Sequence, residues 1–179
     1  MLIPRSEWPD FDSFVRESSP ALIRAAYLLT GDSGHAEDLV QAALLRVARR
    51  WKVARENPIA FTRKVIVNLA TDRWRTRARR PAETYLHAGV EPAADGADAA
   101  IVLRHLLRQL IAELPPSQRA ILVLRFFEDL SISETAETLG CSEGNVKSQT
   151  HHALSRLRTL VVAAEADSVT MKEADHVDR

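Results

Sequence analysis

The stretch from Ser131 to Leu160 constrains the fold of this chain most, because it contains the signals that end one helix and start another. Ser131 followed three residues later by Glu134 forms a capping box, which satisfies two otherwise unpaired backbone donors at a helix start. Gly140 adopts a left-handed backbone at little cost and so ends that helix, and Ser142 is placed to cap the next one. The sequence therefore predicts a helix-turn-helix.

The second helix of this motif is predicted to be amphipathic. Helical spacing puts Val146, Ala153 and Leu157 on one face, which would pack against the preceding helices. The other face carries polar side chains of the kind that a recognition helix presents to the major groove of DNA. These side chains are Lys147, Ser148, His151 and His152.

Charge is distributed unevenly along the chain. The 179 residues include 24 basic and 24 acidic side chains, and a formal net charge of zero argues by itself against a nucleic-acid partner. The net charge is +6 over residues 1–80, however, and −4, +1 and −3 over residues 81–100, 101–164 and 165–179. Overall neutrality therefore conceals a basic front part that can attract phosphates.

Apolar residues recur at helical spacing through most of the chain, without strand-like alternation. The predicted fold class is all-α, with two small helical domains at residues 1–80 and 101–164. Residues 81–100 contain two prolines, two glycines and no Lys or Arg, which is the composition of a flexible linker. Residues 165–179 are predicted to form a frayed acidic tail.

One predicted helix is strongly basic. From Phe61 to Arg80 there are seven basic side chains and one acidic side chain, together with Trp74. Lys and Arg bind phosphates of any sequence, whereas Trp74, near Asn68 and Asp72, could stack on and hydrogen-bond to unpaired bases. The alternative is that Trp74 belongs to the core and the arginines form a solvated face, and the residues alone leave both interpretations open.

Cysteine content and hydropathy indicate the compartment. The single cysteine, Cys141, allows neither an internal disulfide nor a multi-cysteine zinc site, which fits a reducing environment. No apolar run approaches the roughly 18–20 residues that span a bilayer, and the N-terminus lacks the order of a signal peptide. We expect a soluble cytoplasmic protein.

Catalytic and metal-binding signatures are not found. His151 and His152 are adjacent on a helix, so their side chains diverge by about 100° and cannot readily hold one ion together. The sequence contains none of the common nucleotide-binding, metalloprotease or hydrolase motifs. We expect neither an enzyme nor a cofactor or metal site.

Three blocks of sequence carry a family resemblance. They are H-A-E-D-L-V-Q-A-A-L-L-R-V (35–47), A-F-T-R-K-V-I-V-N-L-A-T-D-R-W-R (60–75) and L-P-P-S-Q-R-A-I-L-V-L-R-F-F-E-D-L-S-I-S-E-T-A-E-T-L-G-C-S-E-G-N-V-K-S (114–148). The chain resembles bacterial RNA polymerase sigma factors of the extracytoplasmic-function (group 4) class, in the sigma-70 family. The first two blocks resemble conserved region 2 and the third resembles region 4, in the family's order.

The resemblance implies a factor that binds core RNA polymerase and directs promoter-specific transcription initiation. In the family, region 2 contacts polymerase through residues that match Glu37, Asp38 and Gln41. It would read a melted −10 element, with a flipped base, through Arg63, Lys64, Asn68, Asp72, Arg73, Trp74 and Arg75. Region 4 would read the −35 element through Asn145, Lys147, Ser148, His151 and His152.

The chain departs from the family pattern in its recognition helix. A threonine is common where this chain has Asn145, and arginine or another residue is often found where it has His151 and His152. Because histidine is mostly neutral at pH 7, this face is expected to bind DNA less tightly, or to read different bases, than an arginine-bearing relative.

The implied partners are core RNA polymerase, promoter DNA and an anti-sigma factor, with no direct membrane insertion and no homo-oligomer required. One alternative stays open at the level of sequence. A helix-turn-helix also suits a homodimeric transcription regulator that binds an operator without acting as a polymerase subunit.

Overall fold

The computed structural model describes the backbone of residues 3–78 and 99–177, and side chains at residues 3–74 and 106–164. The predicted linker, 81–100, lies outside the described residues except for its last two, with which a helix begins. Every regular element in the described ranges is helical, as predicted, and there is no strand among them. We call residues 3–78 the first lobe and residues 99–177 the second lobe.

The first lobe contains four α-helices after a short 3-10 turn at Arg5–Glu7. They are α1 (Trp8–Thr30), α2 (Ser33–Arg49), α3 (Trp51–Ala54) and α4 (Pro58–Ala78). Helix α1 ends at Gly31, whose left-handed backbone (φ 75°) lets its N–H donate to the Tyr27 carbonyl. Helix α2 starts at once, because the Asp32 carboxylate accepts from the His35 backbone N–H at 2.7 Å.

The core of the first lobe lies between α1, α2 and α4. Its central cluster is almost fully buried and consists of Leu22, Ala26, Ala36, Leu39, Val40, Ala43 and Ile66. A second cluster closes the other end of the lobe, where the Trp51 ring packs edge-on against Phe11 at 5.1 Å between ring centroids. The buried apolar residues of α2 therefore form the core-facing side of this helix.

The second lobe contains α5 (Ala99–Ala112), α6 (Pro116–Leu122), α7 (Ile132–Leu139) and α8 (Glu143–Val177). A π-helical segment, Val123–Phe127, continues directly from α6. The Glu128 backbone N–H donates to the Val123 carbonyl at 3.1 Å, five residues back, which is the hydrogen bond of a π turn.

The helix-turn-helix forms as the sequence predicts. Ser131 and Glu134 form a reciprocal capping box at the start of α7. Gly140 is left-handed (φ 64°), and the N–H groups of Gly140 and Cys141 donate to Glu137 and Ala136, which is a Schellman ending. The Ser142 hydroxyl then accepts from the Asn145 N–H at 3.2 Å and caps α8.

The C-terminal part differs from expectation. The sequence predicts a frayed tail over residues 165–179, whereas α8 continues to Val177. A helix that has already nucleated extends at little cost through good helix formers, and the run A-A-E-A at 163–166 supplies them. A fading apolar stripe indicated the end of packing rather than the end of the helix.

Candidate nucleic-acid interface

The polar face of α8 is exposed where it follows the turn. Val146 and Ala153 are fully buried and anchor the helix against α6 and α7, and Ala153 packs with Leu114 and Leu122. The five predicted −35 residues, by contrast, are all exposed: Asn145, Lys147, Ser148, His151 and His152. The rings of His151 and His152 lie 5.9 Å apart between centroids in an edge-on arrangement.

Helix α4 carries the predicted −10 residues along its solvent side. Lys64, Asn68, Asp72 and Arg73 are exposed, whereas the side chain of Arg75 lies outside the described residues. Trp74 is 49% exposed, so it is not a core residue. Exposure argues against the interpretation in which Trp74 belongs to the core, and base stacking by its ring stays a prediction.

Arg63 occupies a different environment from its neighbours on α4. Its guanidinium is partly buried and forms an ion pair with Glu128 of the second lobe, with 2.5 Å between Nε and Oε2. A carboxylate oxygen therefore takes the place that a phosphate oxygen would have in the predicted role of Arg63.

A cavity of about 640 Å³ lies between the two lobes. Asn68 and Asp72 of α4 line one wall, and Asn145 and Gln149 of α8 line another. The structure thus brings together side chains from the predicted −10 and −35 sites, although Asn68 and Asn145 are 77 positions apart in the sequence.

The predicted polymerase contacts lie on α2. Glu37, Asp38 and Gln41 are all exposed, on the side of the helix that faces away from buried Leu39, Val40 and Ala43. Glu37 and Gln41 are one turn apart and therefore share a surface.

The structure also shows three residues that the sequence analysis did not single out. Val67 on α4 is only 2% exposed and packs on the second lobe. Arg119 on α6 donates to the carbonyls of Leu29, at 2.9 Å, and of Ala112. Gln149 on α8 accepts from Gln118 at 3.4 Å and lines the cavity.

Burial lowers the pKa of the Arg119 guanidinium from its ordinary value, and the nearby Glu113 carboxylate partly opposes that shift. The carbonyl groups that surround the guanidinium replace part of its lost hydration. No local pattern distinguishes this arginine in the sequence from one on a solvated helix face.

Among the described residues, no group of three or more His, Cys, Asp or Glu side chains could hold a metal ion. Within the same ranges, no helix is both long and apolar enough to cross a membrane.

Comparison with known proteins decides the family. The family description "Sigma-70 region 2" matches residues 14–80, and "Sigma-70, region 4" matches residues 104–157. The RNA polymerase sigma-E factor of Streptomyces coelicolor is 37% identical over 168 residues, covering 93% of this chain and 94% of that protein. The chain belongs to the sigma-70 family. It is a sigma factor, which binds core RNA polymerase and directs transcription initiation at promoter DNA.

Other relatives place this sigma factor in the extracytoplasmic-function class. The SigL factor of Mycobacterium tuberculosis, from that class, is 31% identical over 151 residues, covering 79% of this chain and 83% of that protein. The class predicted from the three sequence blocks is confirmed. Sigma factors are not enzymes, and we assign no catalytic residue. The operator-binding homodimer, which was the alternative, has no support from these comparisons.

Solved structures confirm the fold of this sigma factor. RpoE of Bartonella quintana, in a co-crystal structure with the anti-sigma factor NepR, covers 85% of this chain and 96% of its own at a TM-score of 0.65 and 24% identity. CnrH, solved with the cytosolic domain of CnrY, covers 86% of this chain and 88% of its own at a TM-score of 0.61 and 20% identity. Both lobes therefore have the helical fold of known sigma factors.

Proposed function

We propose that the two lobes of this sigma factor divide promoter recognition between them. The first lobe, within residues 1–80, reads a melted −10 element through α4, and the second, within residues 101–164, reads the −35 duplex through α8. The observation that carries the proposal is the amphipathic build of α8. Val146 and Ala153 are fully buried, while all five candidate −35 residues are exposed on the same helix.

On α8, Lys147 suits a guanine edge or a phosphate, because its ammonium group donates hydrogen bonds to O6 and N7 of guanine. His151 and His152 add donors and acceptors, and little charge at pH 7. Sequence preference at −35 is therefore assigned mainly to this group of side chains.

On α4, Asn68 and Asp72 are one turn apart, and the half-exposed Trp74 follows two residues later on the same helix. Amide and carboxylate groups can hydrogen-bond to the edge of an unpaired base while an aromatic ring stacks on its face. Lys64, Arg73 and Arg75 would bind phosphates and help to offset the cost of taking a base out of the stack.

The division of labour is tested by run-off transcription with purified core polymerase on one defined promoter. Changing Lys147→Ala together with His151→Ala should reduce dependence on the −35 sequence and leave core binding intact. Arg158→Ala is the matched control, because Arg158 is an exposed basic residue further along the same helix. An equal fall in core affinity for the double variant would contradict the proposal.

The polymerase contacts are assigned to the exposed face of α2. Replacing Glu37, Asp38 and Gln41 by alanine should weaken core binding, measured by co-migration on size exclusion, without changing which promoter bases matter. Glu56→Ala, an exposed acid elsewhere in the first lobe, is the control. If the triple variant binds core as tightly as the control does, α2 is not the docking surface.

We also infer that an anti-sigma factor binds this chain and that it acts in the cytoplasm, where polymerase and the chromosome are found. Support for the partner comes from RpoE of Bartonella quintana, whose structure was solved together with an anti-sigma factor. Purifying the tagged chain from its native cells and sequencing co-purified proteins tests the partner. Cell fractionation tests the location.

A further inference from the structure

Two adjacent histidines lie on the exposed face of α8. His151 and His152 are both exposed, and their ring centroids are 5.9 Å apart in an edge-on arrangement. Within the described part of the chain, neither imidazole takes part in a hydrogen bond or an ion pair. Each ring can therefore exchange a proton with solvent and can approach a DNA phosphate without first losing a partner.

The five candidate −35 side chains carry little charge at neutral pH. Of the five, only Lys147 is charged when the histidines are neutral. A water-exposed imidazole ordinarily gains its proton near pH 6.5. Protonation of both His151 and His152 would raise the positive charge of these five side chains from one to three. The charge of this face therefore depends more on pH than that of a face built from lysine and arginine.

The charged groups nearest in sequence to the two histidines lie on α8 itself. Lys147 precedes His151 by one helical turn, and Arg156 follows His152 by one turn. Glu143, the acid of the first turn, is about two turns before His151. Both histidines therefore continue a basic surface to which a phosphate is attracted.

The neighbouring helices do not supply a carboxylate partner. Helices α5, α6 and α7 pack against α8. Among their described charged groups, Glu134 is held by Ser131, and none forms an ion pair with either imidazole. These groups, together with the acid that follows α5, are Arg108, Glu113, Arg119, Glu134 and Glu137. A DNA phosphate would not have to displace an acidic side chain from His151 or His152.

We propose that His151 and His152 couple DNA binding to proton uptake, so that the second lobe binds the −35 element more tightly at lower pH. The proposal rests on the proposed function, in which these side chains face the −35 duplex. A phosphate beside an imidazole favours its charged form, and the charged imidazole in turn strengthens binding to the phosphate. Arginine at either position would keep its charge and could not give this response.

The sign of the effect follows from this linkage. The DNA-bound state holds its protons more tightly than the free state, so affinity for DNA rises as the pH falls through the range in which only the bound histidines are protonated. The gain is complete at lower pH, where the histidines are protonated in both states.

Two promoter duplexes test the proposal with holoenzyme assembled from core polymerase and the full chain. One duplex carries both elements, and the other begins downstream of the −35 element, so the ratio of their affinities reports the contribution of −35 binding. Fluorescence anisotropy should show this ratio rising by about tenfold or more between about pH 8 and pH 6. The dependence of log affinity on log salt concentration should also steepen, by about 0.9 for each histidine that gains a phosphate contact.

Substitutions at the two positions isolate the role of the proton. His151→Asn with His152→Gln keeps polar side chains that do not titrate, so the affinity ratio should no longer depend on pH. His151→Arg with His152→Arg should give a high ratio over the whole pH range. His35→Gln is the matched control and should retain the wild-type response, because the His35 ring lies in the first lobe, 3.0 Å from the Asp32 carboxylate.

The possible outcomes separate this inference from the proposed function. An affinity ratio near one at every pH would show that the −35 duplex is not bound, and it would overturn both. A ratio well above one that does not change with pH would overturn only the proton coupling. The same holds if the pH response survives in His151→Asn with His152→Gln.

Discussion

At the scale of single residues, the structure shows which side chains are accessible to DNA and which are already engaged. Trp74 is half-exposed, whereas Arg63, on the same helix, is paired with Glu128. The sequence assigns all of these residues to one site. Their environments differ because one side of α4 meets the second lobe.

Trp74→Ala should weaken formation of the melted promoter complex by roughly 5- to 150-fold, since a base stacked on an aromatic ring is worth about 1–3 kcal/mol. Duplex binding at −35 should not change. The measurement is the fluorescence of a 2-aminopurine placed in the −10 element. Trp8→Ala is the matched control, because Trp8 is 50% exposed in the same lobe, and it should leave the signal unaltered.

The capping box at α7 has a pH dependence of known sign. Hydrogen bonds with the side chain and then the backbone of Ser131 lower the pKa of the Glu134 carboxyl below 4.5. Its contribution to stability is therefore present at neutral pH and is lost as the pH falls below 4.5 and through the folded-state pKa. Urea unfolding at pH 7 and at successively lower pH should show this loss in wild type and a smaller one in Glu134→Gln.

Local sequence signals were sufficient to predict where α7 begins and ends. Ser131, Glu134 and Gly140 act on their own backbone, so their roles could be deduced from sequence spacing alone. Val67 and Arg119 could not be identified in this way, because their contacts depend on how two distant helical units pack. An apolar residue off the main stripe of α4 is a weak signal of a second buried side.

At the scale of elements, the helix-turn-helix contains two glycines that differ in backbone conformation. Gly140 is left-handed (φ 64°), and a Cβ there would meet nothing within 4 Å. Gly144 lies in the first turn of α8, and a Cβ there would make only ordinary contact with the Ser142 hydroxyl at 3.9 Å. Neither site is limited by space, so backbone conformation decides the effect of a substitution.

Gly140→Ala should lower the free energy of unfolding by about 1–2 kcal/mol, because an L-residue is strained in the left-handed region. Gly144→Ala should raise it by about 0.4–1 kcal/mol, through a smaller loss of chain entropy on folding. Urea denaturation followed by circular dichroism measures both. A change of the same sign in the two variants would contradict this account of the turn.

The order of helices could be predicted from periodicity and capping residues, but two features of the elements could not. Helix α8 extends to Val177 because helix propagation does not require an apolar stripe. The π segment, Val123–Phe127, leaves Phe126 and Phe127 half-exposed, although α-helical spacing assigns Phe127 to the same apolar face as Ile121 and Leu124.

At the scale of the whole molecule, neighbouring residues of α4 belong to different interfaces. Ile66 and Val67 are each 2% exposed, but Ile66 lies in the core of the first lobe and Val67 lies in the interface between the two lobes. The composition of the sequence indicates two domains. The sequence contains no signal for the packing of these domains on each other, because each contact across the interface joins residues far apart in the chain.

Val67→Ser should therefore increase the radius of gyration in small-angle X-ray scattering while leaving the helix content of both lobes unchanged. Ile66→Ala should instead change stability and not the packing of the two lobes. It should lower the free energy of unfolding by about 2–5 kcal/mol through a cavity in the first lobe, and the radius of gyration of the folded protein should not change. Equal radii for the two variants would show that Val67 does not hold the lobes together.

The π turn between α6 and α7 sets the direction in which the Glu128 side chain points toward Arg63 of the first lobe. Each residue of an α-helix turns the chain by about 100°, so an insertion or deletion within Val123–Phe127 would rotate everything that follows by about that angle. Glu128 would then point away from Arg63. In the evolution of this chain, substitutions in the five-residue segment should be accepted far more readily than changes in its length.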